Sequence, residues 1–512
     1  MRWVGSLLVA AAMALAATVP AAAQQPQPRQ GGALTIATIG EPPTLDPMES
    51  TADVVGLIAQ HVFETLYTWG DGWRIVPLLA ASDPQISADG KEYVIPLRTG
   101  VRFHDGQEMT SADVLASLQR WMRVAVRGRT TAEIVESMTA PSPTTIRIVL
   151  KQPYAPLMAL LSLQTSAAII MPANKQPTPL TEFIGTGPYR FRERQPDRYV
   201  LLSRFENYSA RSDATNMYGG RRTAYIEELR FVPVPNAATR IEGALSGQYG
   251  YVDSLPVESV ARLRGQQRVE PIVFPSFGWP LIFLNTRDGV TANPGIRRAI
   301  AMSLDVRDML EAAFGGPDFY QLDGAYYPQG WQFHSTAGAE GFNRPDPARA
   351  RAMAREAGYN GQTIRFMTTQ QFDFHYKMSL VAAENMRAAG FTVDLQVLDW
   401  ATQLQRRPDG ALWDMFFTHG PILPEPTLYS FFNSGAPGWW STPTRNQVVS
   451  AFSSESNPQR RAEIWGDVQR LIYSEVPIIK LGNFNALAAR ARGLNGVQPA
   501  PWPFFWNAWL QN

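Results

Sequence analysis

Between residues 413 and 426 the chain reads W-D-M-F-F-T-H-G-P-I-L-P-E-P, placing His419 between the carboxylates Asp414 and Glu425 among aromatic residues. An imidazole there can donate to a carboxylate or carbonyl, or ligate a metal complex; a lone histidine is more often a packed side chain. The other chemistry-bearing residues are also binders by type. Glu41 opens the loop E-P-P-T-L-D-P and can meet a cation, or sit as a solvated loop acid or helix-cap partner. Arg127 and Arg129 flank Gly128. Either guanidinium can take a carboxylate on two N–H groups, or both can be solvated surface arginines. Phe277 and Trp279 lie in F-G-W-P, Phe372 and Phe374 alternate about Asp373, Trp400 follows Asp399, and Trp439 and Trp440 follow Gly438. Each aromatic can stack on a ligand or pack in a core or loop. Catalytic strings are missing: the chain has no G-x-S-x-G, H-E-x-x-H or G-x-x-x-x-G-K-[ST]. The histidines at 61, 104, 334 and 375 show no paired spacing. No metal and no cofactor is expected.

Composition bounds what can position these groups. At 512 residues the chain exceeds one ordinary domain and suits two large lobes. Its 46 basic and 45 acidic residues are scattered, which argues against nucleic acid as a partner. It has no cysteine, so disulfides, thiolate metal sites and a lipidated N-terminal cysteine are excluded. Arg2, an apolar run over 4–19 and Ala21-Ala22-Ala23 fit a cleaved signal peptide, leaving Gln24 as the first mature residue. The run is shorter than the roughly 20 residues a spanning helix needs. The mature protein is expected in the periplasm, without membrane insertion.

Residues 24–32 read as a Gln/Pro-rich linker, 34–39 as a strand and 53–66 as a helix. Over 100–118, a strand end and the turn His104-Asp105-Gly106 lead to a helix capped by Thr110 with Asp113 in a capping box. Gly185-Thr186-Gly187-Pro188-Tyr189 is a turn into a strand, and 271–285 is an extended apolar stretch. Beyond it helices and strands alternate. Asn293-Pro294, Asp346-Pro347 and Asn457-Pro458 each pair an N-cap with Pro at the first helical position. The fold class is α/β.

Nine short strings, in order, carry a family likeness: E-P-P-T-L-D-P at 41–47, H-V-F-E-T-L-Y at 61–67, F-H-D-G with S-A-D-V, G-T-G-P-Y, A-A-T-R-I-E-G-A-L-S-G, F-L-N-T, I-R-R-A-I-A, A-R-E-A-G-Y and A-A-G-F-T-V-D-L. Together they resemble the family-5 extracytoplasmic solute-binding proteins of ABC importers, the peptide/nickel type. The resemblance implies a two-lobed periplasmic-binding-protein clamshell (type II) with an extra subdomain in the N-terminal lobe. Lobe I would span 33–275 with the accessory subdomain at about 66–182, lobe II 276–484, and a tail, 485–512, would return to lobe I. A small organic ligand would be trapped between the lobes and handed to permease subunits by a monomeric receptor. A ligand-presenting sensory protein is the alternative, and a secreted hydrolase a weaker one.

On that frame Glu41, Arg129, Phe277, Trp279, Phe372, Trp400, His419 and Trp439 are the expected ligand contacts. Peptide-binding relatives carry W-x-x-D-Y-x-D-P near 419–426, and its first Asp holds the peptide ammonium. Here Glu425 matches the second acid, His419 the Trp, and Ile422 stands where the anchoring Asp belongs. An apolar side chain cannot pair with a buried ammonium. The resemblance therefore implies a short or modified peptide, or an amino-acid-like compound, held in another way.

Overall fold

The computed structural model describes residues 27–511. The expected signal peptide at 1–23 and the start of the linker lie outside the described residues. Ala33–Thr38 buries Leu34 and Ile36. It pairs in parallel with Glu228–Pro233 on one side and Tyr251–Leu255 on the other. The hairpin Tyr189–Gln195 and Tyr199–Arg204 extends this half, lobe I. In lobe II, Thr363–Thr369 pairs in parallel with Thr392–Leu398 and Met415–Pro421.

Two strands tie the halves into one sheet. Val269–Leu284 pairs with Asn483–Ala491 from Val269 to Phe274, then with Met415–Pro421 from Gly278 to Leu284. The register breaks between Phe274 and Gly278. Ser276 sits in the break with φ 46°, and its N–H donates to Asn485 Oδ1 at 2.8 Å. A bulge at a crossing point bends the strand where one lobe gives way to the other. The molecule is a two-lobed clamshell. A separate four-stranded sheet, Gln85–Ile86, Glu92–Pro96, Thr145–Leu150 and Val135–Ser142, packs with the helix Ser111–Val124.

The local readings of caps hold. Asp113 Oδ2 accepts from the Thr110 N–H at 2.8 Å in a full capping box. Asn293, Asp346 and Asn457 each accept an N–H of the first turn, with Pro294, Pro347 and Pro458 at the helix start. The helix expected over 53–66 is shorter, Asp53–Ala59. The carbonyls of His61 and Val62 are taken by the N–H groups of Tyr189 and Gly187 at 3.0 and 2.9 Å, so the helix cannot continue. A Cβ at Gly185 or Gly187 would collide with those same carbonyls, which explains the two glycines of G-T-G.

The C-terminal tail docks on this short helix. Trp502, Phe504, Phe505 and Trp506 are buried. Gln60 Nε2 donates to the Pro503 carbonyl at 2.9 Å, and His61 Nε2 accepts from the Phe505 N–H at 3.0 Å. The Arg222 guanidinium lies 4.1 Å above the Trp506 ring. No helix of the described residues is long and apolar enough to cross a membrane.

Candidate solute-binding cleft

Asp53 is the first residue of the helix Asp53–Ala59, where a carboxylate suits the positive helix end. The docked tail fixes it: Trp502 Nε1 donates to Asp53 Oδ1 at 2.8 Å. Its other oxygen faces lobe II, 3.9 Å from His419 Nε2. Burial raises the Asp53 carboxyl to about 6; the Trp502 bond lowers it, Asp253 adds to the rise, and Arg127 opposes it.

His419 reaches this point from Met415–Pro421, opposite Pro280. Its Nδ1 lies 2.8 Å from His375 Nε2. Phe372 and Phe374 wall the ring at centroid distances of 4.6 and 5.3 Å. Burial, with Arg407 nearby, depresses His419 to about 3, and His375 falls well below its usual value for the same first cause. Both rings are therefore neutral at pH 7. His375 Nδ1 is buried without a partner. The tautomer with the proton on His375 Nε2 leaves only a bare lone pair there, and directs the remaining N–H of His419 toward Asp53.

Two cavities meet at this pair. The larger, ≈ 380 Å³, is lined from lobe I by residues around Glu49–Asp53, Arg127, Thr165 and Ser166, and from lobe II by Trp400, Arg407, Phe416 and Tyr429. The other is aromatic, lined by Phe274, Phe277, Phe314, Phe372, Phe374 and Phe484 with Asp253. Asp53 and His419 line both. An apolar pocket with a few convergent polar groups is the usual form of a small-molecule site.

The cations differ in their partners. Arg127 bridges the lobes: Nε and Nη2 donate to the Leu428 carbonyl at 2.8 and 2.6 Å, and Nη1 to that of Thr165 at 3.0 Å. Burial lowers it to about 10, with Asp53 as its opposing charge. Arg407 lies between the Trp400 and Phe416 rings, 4.7 and 4.5 Å from their centroids. Burial alone lowers it to about 9.

Of the expected contacts, Phe277, Phe372, Trp400 and His419 line these cavities. Four others are placed elsewhere. Trp279 is fully buried against Tyr326, Tyr327 and Tyr429; the Tyr429 ring, 4.5 Å away, lines the larger cavity, and Trp279 lines neither cavity. Arg129 is exposed and donates to the Val124 carbonyl of its own helix region at 2.7 Å; Arg127 is the residue that reaches the cleft. Trp439 stacks on Trp413 at 5.5 Å beneath Arg287, a packed loop away from both cavities. Glu41 lines a separate cavity of ≈ 630 Å³ beside Trp400, and its Oε1 is paired with Arg194 at 2.5 Å while Oε2 is buried without a partner. Glu425 forms a buried two-point ion pair with Arg461 at 3.0 and 3.1 Å. Ile422 is 3% exposed, and its N–H donates to the Phe277 carbonyl at 2.9 Å.

Sequence reasoning did not find Asp53 or Arg407. Asp53 reads as an ordinary first-turn acid, and Arg407 as part of the polar turn R-R-P-D-G.

The model of the bacterial extracellular solute-binding proteins, family 5 (Middle), matches residues 74–439, and the chain belongs to that family. The probable peptide ABC transporter periplasmic-binding protein y4tO of Sinorhizobium fredii is 24% identical over 490 residues, covering 90% of each chain. The glutathione-binding protein GsiB of Pectobacterium atrosepticum is 23% identical over 503 residues, again covering 90% of each. Among solved structures, the periplasmic binding protein DppA from Helicobacter pylori in complex with the peptide STSA superposes with a TM-score of 0.83. That match has 21% identity and covers 94% of this chain and 99% of the other. The protein AgaA from A. tumefaciens in complex with agropinic acid matches with the same TM-score, identity and coverage. These likenesses show a common fold over almost the whole chain.

Proposed function

We propose that this protein is exported to the periplasm, captures a small organic solute between its lobes, and delivers it to the permease of an ABC importer without transforming it. The observation that carries the reading is the ≈ 380 Å³ cavity, whose polar lining comes from both lobes: Asp53 and Arg127 from one, Arg407 and His419 from the other. A solute bridging these groups contacts both lobes only when they are closed, so its differential affinity favours the closed state. The four-stranded sheet around Glu92–Pro96 with its helix is read as the accessory subdomain of lobe I. The relatives' named ligands include peptides, glutathione and agropinic acid, so likeness does not choose among them.

The missing acid at Ile422 supports a modified peptide or an amino-acid-like compound over a conventional free-amine peptide. Asp53, on the opposite lobe, is the carboxylate nearest His419 and the natural partner for a ligand donor. Thermal unfolding with a solute panel tests the reading. A solute that raises Tm and is recovered chemically unchanged supports it; turnover of that solute overturns it. A sensory receptor would share this cleft, and transport by a strain lacking the chain's gene separates the two.

A further inference from the structure

We infer that the solute carries an anionic group, a carboxylate or its equivalent, which is held by Arg407 on the lobe II wall; this rests on the receptor reading above and narrows it. Arg407 is a cation without a counter-charge. Among the described residues no carboxylate forms an ion pair with it, and its one side-chain hydrogen bond is from Nη2 to Thr418 Oγ1 at 3.2 Å. Its Nε is buried without a partner. A guanidinium has five N–H donors, so most of this fork is uncommitted. The clamp of Trp400 and Phe416 fixes the guanidinium plane, and Arg407 lines the larger cavity.

Other arginines in this fold show the contrast. Arg120 is paired with Asp46 at 2.5 Å, Arg222 with Glu64 at 3.2 Å and Arg461 with Glu425 at 3.0 Å. Arg127, which shares the cavity, spends its donors on the Leu428 and Thr165 carbonyls and has Asp53 as its opposing charge. Arg407 alone of the cavity's two arginines has neither. A half-buried cation without an opposing charge is unfavourable, and a planar anion from the solute supplies both the charge and the acceptors of a two-point bond. The aromatic pocket beyond His419 then receives the apolar part of the same molecule. The inferred ligand class is an amphipathic organic acid.

The test uses the full mature chain, stripped of bound solute by unfolding and refolding, and matched probes. These are N-acetyl-L-phenylalanine and its amide, hippurate and hippuramide, and a wider set of acid, amide and amine triplets. Acids are expected to raise Tm with an apparent affinity about tenfold or more above that of their amides. Arg407→Gln should abolish this difference, and Arg407→Lys should keep part of it by keeping the charge. The unliganded Tm of Arg407→Gln is expected to match or exceed wild type, since an uncompensated cation is removed; an unfolded variant leaves the wild-type acid/amide comparison to decide. Acids and amides stabilising wild type equally, or amines doing better, overturns the anion assignment and leaves the receptor reading standing. A panel in which no charge state moves Tm counts against both.

Discussion

His419 Nε2 of lobe II stands 3.9 Å from Asp53 Oδ2 of lobe I, so the lobes meet through one imidazole and one carboxylate at the junction of the two cavities. The carboxylate is raised to about 6 and the imidazole is held neutral, both chiefly by burial. At 3.9 Å the two groups are beyond direct hydrogen-bond reach, and with the imidazole neutral they are not a permanent ion pair.

Asp53 has a folded-state carboxyl raised from 3.8 to about 6. In that window the folded protein binds the proton more readily than the unfolded chain, so this group lowers stability as pH rises through about 6. Asp53→Asn keeps an acceptor for Trp502 and removes the charge. At pH 7 it should be more stable than wild type by about 1 kcal/mol, discounted because the side chain is 39% exposed. The gain should vanish by pH 4, as read from Tm against pH.

The histidines work in the opposite direction. His375 and His419 are held neutral when folded and must charge when unfolded, so they remove stability as pH falls from 6.5 toward the depressed values. His61 and His104, depressed to about 3 and about 4 by burial, add to this slope. Calorimetry of wild type should show Tm falling from pH 6.5 to pH 4. His375→Gln should flatten the fall without abolishing it.

Glu425 occupies the position of a binding-motif acid yet serves the fold. Glu425→Gln leaves Arg461 buried beside a neutral amide, with an expected loss of about 3–5 kcal/mol in urea unfolding. Solute preference, measured at a temperature where the variant is folded, should stay that of wild type.

Trp279 is a core residue of lobe II. Trp279→Ala should cost about 3–5 kcal/mol from the volume lost among Tyr326, Tyr327 and Tyr429. Solute affinity of the folded fraction should change little, whereas Trp400→Ala, which opens one side of the Arg407 clamp, should weaken it with little loss of stability.

Features with local causes were legible in the residues. The caps at Thr110, Asn293, Asp346 and Asn457 depend on side chains within three residues of the N–H groups they bond. The glycines of G-T-G and the family strings were readable for the same reason. The cleft was not, because distance in sequence hides what burial assembles. Asp53 owes its place to Trp502, 449 residues away, and Arg127 to Leu428, 301 residues away. Trp279 shows the converse. Its place on the crossing strand suggested the cleft, but three tyrosines from later segments enclose it.

The most direct test of the receptor reading is to release and identify, by mass spectrometry, whatever solute accompanies the protein purified from its own cells, and return it to the stripped chain while following Tm and radius of gyration. One small organic solute in equal stoichiometry, raising Tm, contracting the molecule and emerging unchanged, is the expected result. A solute that leaves Tm and radius of gyration unmoved, or is converted to product, would contradict it.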